Sequence, residues 1–156
     1  MPDQIDMTCE HDIEPHKTGL KLKIKAYVLD NEHEDAVSVI DCDAGGKIVV
    51  EWDVEGELKS HLCGKWCVTA FLESIGPGPE IALPNPCDCT PFNCDNPGPW
   101  RKEFDLPGGG IECTDCGSLY QIAVTLTSKD CNDRPGHIAA YCKGATVMFY
   151  KGAPEN

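Results

Sequence analysis

Eleven cysteines in 156 residues are the side chains of this chain with the greatest capacity for chemistry. A cysteine can bind a soft metal ion, form a disulfide or act as a nucleophile, depending on its neighbours and its compartment. Most of the eleven fall in predicted loops or at the ends of predicted strands, where they would fix the backbone rather than fill a core. They are Cys9, Cys42, Cys63, Cys67, Cys87, Cys89, Cys94, Cys113, Cys116, Cys131 and Cys142.

Two cysteine clusters have a local spacing that suits a metal ion. Cys87 and Cys89 are separated by one residue with Cys94 five residues later, and Cys113 and Cys116 form a CxxC pair. Two thiolates on one turn supply half of a tetrahedral zinc site, and two such halves joined in space would make a closed structural centre. The spacing between the clusters fits known zinc patterns only loosely. The sequence therefore predicts no cofactor, and the alternative is a zinc ion held by these five cysteines.

Disulfides are the competing interpretation of the same cysteines. Ten of the eleven can pair, which leaves one thiol for a bond to another chain, and the sequence does not determine the connectivity. Cys87, Cys89 and Cys94 lie among prolines, as expected for a loop held in an irregular path. We expect loops fixed by disulfides, in the manner of domains from oxidising compartments.

A cysteine-dependent enzyme is the third possibility, and no motif supports it. His61, Cys63 and Cys67 form a mixed nitrogen and sulfur group that offers either a metal set or a nucleophile with a base. The chain has no HExxH, no GxSxG and no phosphate-binding glycine motif. Any chain this rich in cysteine offers such pairs, so the sequence predicts a protein that is not an enzyme and assigns no catalytic residue.

A lysine stripe, defined as Lys21, Lys23 and Lys25, is the candidate surface for binding another protein. It lies on one face of a predicted strand in a chain whose formal net charge is −13. The stripe either protects a strand edge from aggregation or docks against an acidic surface, including the acidic loops of a second copy. The net negative charge repels phosphate backbones, so we expect no nucleic-acid partner.

Period-two alternation of apolar and polar residues predicts the elements that position these groups. The clearest strands are expected around 20–28, 48–54, 66–72, 100–106 and 120–126. Two more are expected around 138–142 and 145–149, joined by a tight hairpin at Lys143-Gly144, with a short extra strand at 36–40. No apolar pattern of helical period extends over a dozen residues. About seven strands with turn residues between them favour an all-β, antiparallel two-sheet sandwich, with a β-barrel as the alternative.

The domain organisation follows from the same pattern. Residues 1–18 are polar, acidic and aperiodic, and are expected to form a flexible arm. The sandwich is expected over 19–151, with a cysteine-rich loop at 84–99, and a short tail over 152–156. No apolar run approaches the roughly 20 residues of a membrane-spanning helix.

The number and order of the predicted strands resemble an immunoglobulin-like or fibronectin-type-III-like sandwich. The resemblance covers roughly residues 19–151 and is one of pattern alone. Trp52 and Trp66 could each take the part of the central core tryptophan, but the Cys-Trp-Cys spacing of an antibody domain is missing. Such sandwiches carry many unrelated activities, so the resemblance implies an architecture and no functional residues.

The expected function is therefore a non-enzymatic structural or protein-interaction module that can self-assemble. Its partner is expected to be a protein, including a second copy of the chain. The N-terminal residues show no secretory signal, which by that criterion predicts a cytoplasmic protein. The cysteine content instead favours an extracellular one if Met1 is not the native start.

Overall fold

The structure, a computed structural model, describes residues 8–13, 20–31, 36–76, 80–83, 89–93, 95–106, 117–130 and 132–152. These residues form ten strands: β1 (Thr8–Ile13), β2 (Leu20–Asp30), β3 (Val39–Asp41), β4 (Gly46–Glu55), β5 (Gly64–Ser74), β6 (Ile81–Ala82), β7 (Thr90–Phe92), β8 (Trp100–Leu106), β9 (Ser118–Lys129) and β10 (Pro135–Tyr150). One short 3-10 helix, Glu57–His61, connects β4 to β5. No helix within the described ranges is long and apolar enough to cross a membrane.

The strands form two sheets, as the alternation predicts. The smaller sheet has the order β1-β2-β4-β8, and the larger has the order β3-β10-β9-β5-β6, with β7 also paired to β5. Over the described residues the sheets do not close into a barrel. Pairing is antiparallel except between β3 and β10, which run parallel, so the prediction of a wholly antiparallel structure is wrong at this one edge.

One apolar core lies between the two sheets, because each long strand turns alternate side chains inward. Along β2, for example, residues alternate strictly between buried and half-buried positions from Leu20 to Val28. Towards one end of the core, the Trp66 ring lies 4.4 Å from that of Phe92 and 5.3 Å from that of Trp100, measured between centroids. Trp66 is fully buried on β5, one of the two positions that the sequence offers for a central tryptophan.

One predicted turn differs from the structure. The hairpin at Lys143-Gly144 is wrong, because β10 continues through both residues with a register shift against β9. Gly144 is buried, and a Cβ there would lie 3.0 Å from the side chain of Ala26, so this glycine serves packing and not a turn.

The cysteine-rich segment 84–99 contains β7, which pairs with β5 from Gly64 to Trp66. Residues 84–88 and 94 of that segment lie outside the described ranges. In the N-terminal arm expected over 1–18, Thr8–Ile13 form β1 and pair with Leu20–Lys25 of β2. These six residues are therefore part of the smaller sheet. Most of the expected tail lies outside the described residues as well.

Candidate interaction surface and cysteine sites

The lysine stripe lies on the outer face of the smaller sheet. Its strand, β2, has β1 on one side and β4 on the other, so it is an inner strand, and protection of a sheet edge does not explain the stripe. Lys21 contacts Glu10 of β1 at 3.7 Å, and Lys23 contacts Glu55 of β4 at 3.0 Å. The hydrogen bond from Lys23 to Glu55 raises the pKa of this lysine. The positive charges thus face carboxylates of the same sheet.

The rest of this outer face continues the same pattern of paired charges. Lys47 of β4 and Arg101 of β8 both contact Glu103, at 3.4 Å and 2.9 Å. Lys59, from the 3-10 helix, contacts Asp53 at 2.9 Å. The two pairs with Glu103 are solvent-exposed and the pair of Lys59 with Asp53 is partly exposed, and exposed pairs of this kind contribute little to stability. The outer face of the smaller sheet is therefore a charged, solvated surface with little net charge.

The outer face of the larger sheet has the opposite character. Its central positions carry threonine, glutamine and alanine, among them Thr69 of β5, Gln121 and Thr125 of β9, and Thr146 of β10. Its charged residues include Lys143 of β10, which is paired with Ala123 of β9, and Glu73 of β5, which accepts a hydrogen bond from Tyr141 at 3.0 Å. A chain with a formal net charge of −13 therefore has one sheet face with few charges.

Four exposed apolar side chains lie side by side at one end of this charge-poor face. Val39 of β3 is paired with Met148 of β10, and Met148 is paired with Leu119 of β9. Ile75, which follows β5, donates its backbone N–H to Leu119. We call Val39, Met148, Leu119 and Ile75 the apolar row. Its members are between 37% and 53% exposed, and Tyr150, two residues along β10 from Met148, is 40% exposed.

The sequence carries a signal for this row that alternation alone does not use. From Val147 to Tyr150 the end of β10 is apolar at every position, so both faces of the strand are apolar. A strand in contact with only one core needs only one apolar face. The second apolar face indicates a further contact or an exposed patch, but its neighbours depend on a sheet order that the sequence does not supply.

One disulfide joins the two sheets. Cys9 of β1 is bonded to Cys142 of β10, with the two Cα atoms 5.7 Å apart and a sequence separation of 133. Cys142 is buried and points inward, and Cys9 packs against the core from the smaller sheet. This bond therefore crosslinks the core, a role that differs from the predicted fixing of loops.

Cys42 and Cys63 are disulfide-bonded as well. A sulfur in a disulfide is no longer a thiolate ligand, so the predicted group of His61, Cys63 and Cys67 is not available to a metal ion. Of the predicted zinc ligands, Cys87, Cys94, Cys113 and Cys116 lie outside the described residues. Within the described ranges no three histidine, cysteine or acidic side chains are grouped as a metal site.

The fifth predicted zinc ligand, Cys89, contacts a cysteine that the predicted set does not include. Its Sγ lies 2.7 Å from the Sγ of Cys67, and both are free thiols on half-buried residues. Partial burial and the neighbouring Cys89 sulfur raise the pKa of the Cys67 thiol to about 11, against a weaker opposing effect of Lys129 and Lys102. At neutral pH Cys67 is therefore a protonated thiol and a poor nucleophile.

Alkylation of Cys67 by iodoacetamide should report this raised pKa. Because only the thiolate reacts, we expect the rate to rise about tenfold per pH unit above neutrality. The rise should continue until the pH approaches the Cys67 pKa of about 11. Peptide mapping after timed quenching separates Cys67 from Cys89, with a small free thiol in the same tube as the control. A Cys67 rate that levels off together with that of the free thiol would contradict the raised pKa.

Comparison of the chain with models of protein families, with curated proteins and with solved structures finds no match.

Proposed function

We propose that this chain is a non-enzymatic protein-interaction module that binds a second copy of itself through the apolar row. The observation that carries this proposal is the row itself: four exposed apolar side chains on neighbouring strands of a face with few charges. Contiguous apolar surface of this kind is typical of sites of protein contact. Methionine and aromatic residues, here Met148 and Tyr150, are enriched in interfaces, and charged residues are depleted from interface cores.

The charge of the chain favours a second copy as the occupant. Two copies that each carry a formal net charge of −13 repel one another wherever acidic surfaces meet. The apolar row carries no charged side chain, so two copies can bring their rows together without placing carboxylates against one another. A two-fold axis between Leu119 and Met148 would place the row of one copy against the same row of the other. Most homodimers use such a self-complementary patch.

The lysine stripe is a weaker candidate for the interaction surface. Glu10 and Glu55 already face Lys21 and Lys23 within the same sheet, and a partner would have to displace them. Exposed charged side chains such as these lysines influence the rate of association more than the affinity. The stripe therefore keeps the outer face of the smaller sheet solvated. The variant Lys23→Glu serves as the comparison for the apolar row.

An immunoglobulin-like sandwich is the proposed form of the scaffold. In the larger sheet, β10, β9, β5 and β6 follow one another as strands G, F, C and C′ do in such domains. In the smaller sheet, β2, β4 and β8 correspond to A, B and E. The buried Trp66 then stands on strand C, the position of the core tryptophan.

The state of the described cysteines favours a structural role over a catalytic one. Of the six described, Cys9, Cys42, Cys63 and Cys142 are bonded, and only Cys67 and Cys89 are free thiols. A cysteine nucleophile needs a thiolate, and the raised pKa of Cys67 keeps this thiol protonated.

Placing a charge in the row should weaken self-association. In Met148→Lys an ammonium group would be buried at the contact without a partner, so we expect the dimer dissociation constant to rise at least tenfold. Sedimentation velocity over a concentration series measures this change. Asn132→Lys, in the exposed turn between β9 and β10, adds the same charge away from the row and should leave the dissociation constant unchanged.

Two outcomes would contradict the proposal. One is a wild-type chain that stays monomeric up to about 1 mM, where even weak dimers form. The other is an equal change in Met148→Lys and Asn132→Lys, which would indicate an effect of net charge alone. Loss of association in Lys23→Glu with no loss in Met148→Lys would assign the interaction to the lysine stripe instead.

A further inference from the structure

Cys67 and Cys89 occupy directly opposed positions on two antiparallel strands. The ladder between β5 and β7 pairs Lys65 with Pro91 and Trp66 with Thr90, so the next pair in register is Cys67 with Cys89. Their Sγ atoms, 2.7 Å apart, are close enough to bond after a small movement of either side chain. No rearrangement of the two strands is needed to bring these sulfurs together.

The pair is also accessible to reagents in solution. Both residues are half-buried, and Cys67 points outward from the larger sheet. Cys142, in the disulfide between the sheets, is buried by comparison. The pair lies opposite Thr127 of β9, whereas the apolar row lies at Leu119, near the other end of the same strand. The two thiols are therefore separate from the surface of the proposed interaction.

We propose that Cys67 and Cys89 are a redox site at which a low-molecular-weight disulfide of the oxidised-glutathione class forms a reversible intramolecular disulfide. In the first step one protein thiol loses its proton, attacks the small disulfide and releases one small thiol, leaving a mixed disulfide. In the second step the other protein thiol, also losing its proton, displaces the second small thiol. The two protein thiols lose two electrons and two protons in total, and the small disulfide gains them as two thiols.

Closing this bond would hold β7 against β5. Without it, β7 is attached to β5 by a ladder of three residue pairs. Phe92 at the end of β7 is buried against Trp66, which directly precedes Cys67. The bond would therefore fix the strand that supplies Phe92 to the aromatic core. Because all three tryptophans of the chain, Trp52, Trp66 and Trp100, lie in this cluster, their fluorescence should respond to the redox state.

The test uses the full chain after mild reduction, incubated with oxidised glutathione in a slightly alkaline buffer. Differential alkylation and peptide mapping then count the thiols at each cysteine. We expect the loss of two alkylatable thiols per chain and a crosslinked pair of peptides that contain Cys67 and Cys89. Added dithiothreitol should restore both thiols. In Cys67→Ser, the reaction should stop at a mixed disulfide of glutathione on Cys89, because the second thiol is missing.

Three results would overturn the inference. The first is that Cys67 and Cys89 remain fully alkylatable after exposure to oxidised glutathione. The second is that Cys89 is recovered bonded to any cysteine other than Cys67. The third is a bond that forms but does not reopen in dithiothreitol while the chain stays folded. The wild-type peptide map decides each of these, so the test does not depend on correct folding of Cys67→Ser.

Discussion

Removing the disulfide between the sheets, as in the double variant Cys9→Ser/Cys142→Ala, should lower the free energy of unfolding by about 4 kcal/mol. The bond closes a loop with a sequence separation of 133 residues, from the first described strand to the last. Closing so long a loop removes much of the entropy of the unfolded chain. Chemical denaturation followed by tryptophan fluorescence measures the change, since the three tryptophans lie in the core between the sheets.

The single variants provide the control for this prediction. Either Cys9→Ser or Cys142→Ala abolishes the bond, so each should reproduce most of the loss seen in the double variant. In Cys142→Ala the inward position is taken by a small apolar residue. This choice limits the further loss of unfolding free energy that comes from lost packing. A double variant less than about 1 kcal/mol below the wild type would show that the bond does not hold the sheets together.

Trp66→Ala should destabilise the chain by about 3–5 kcal/mol, as expected for a large aromatic side chain removed from a core. Trp66 is fully buried and lies against both Phe92 and Trp100, so its loss leaves a cavity lined by rings from β7 and β8. Its Nε1 atom is buried with no hydrogen-bond partner among the described residues. Trp66→Phe should therefore lower the free energy of unfolding by less than the loss of buried side-chain area suggests. The reason is that the unpaired N–H disappears with the indole.

Tyr141→Ala is the matched control for Trp66→Ala. It also truncates an aromatic residue on the larger sheet, but Tyr141 is 45% exposed and its hydroxyl donates to Glu73 at an exposed site. We expect a loss below about 1 kcal/mol. Thermal unfolding of both variants at low protein concentration compares them without a contribution from association. Equal losses in the two variants would contradict the importance of the buried Trp66 ring to the core.

Period-two alternation was sufficient to predict the long strands, because each of them has one face in a single core. It failed at Gly144, where a glycine followed by a new apolar run resembles a turn. At that position the glycine allows the backbone of β10 to approach Ala26 closely. Ala26 is distant in sequence, so no local pattern reveals this contact. Alternation does not predict the strand β1, because Thr8–Ile13 is mostly polar. Glu10 gains its role from Lys21 and Lys23 on the neighbouring strand.

The cysteine and interaction sites were less predictable than the strands, since both depend on register and sheet order. Spacing in the sequence groups Cys89 with Cys87 and Cys94, whereas the ladder between β5 and β7 places it beside Cys67. The apolar row requires a parallel pair between β3 and β10 and a bulge within β10. Neither feature is encoded in a local pattern, so the four apolar residues could not be brought together from the sequence.

Hydroxyl-radical footprinting at low and high protein concentration tests most directly whether the apolar row is the interaction surface. Met148, Leu119 and Tyr150 are exposed in the single chain, so radicals should label them readily in dilute solution. We predict that their labelling falls as the chain is concentrated, while Tyr27 on the outer face of the smaller sheet keeps a constant rate. Unchanged labelling of Met148 at every concentration, or protection that appears at Tyr27 instead, would contradict the account.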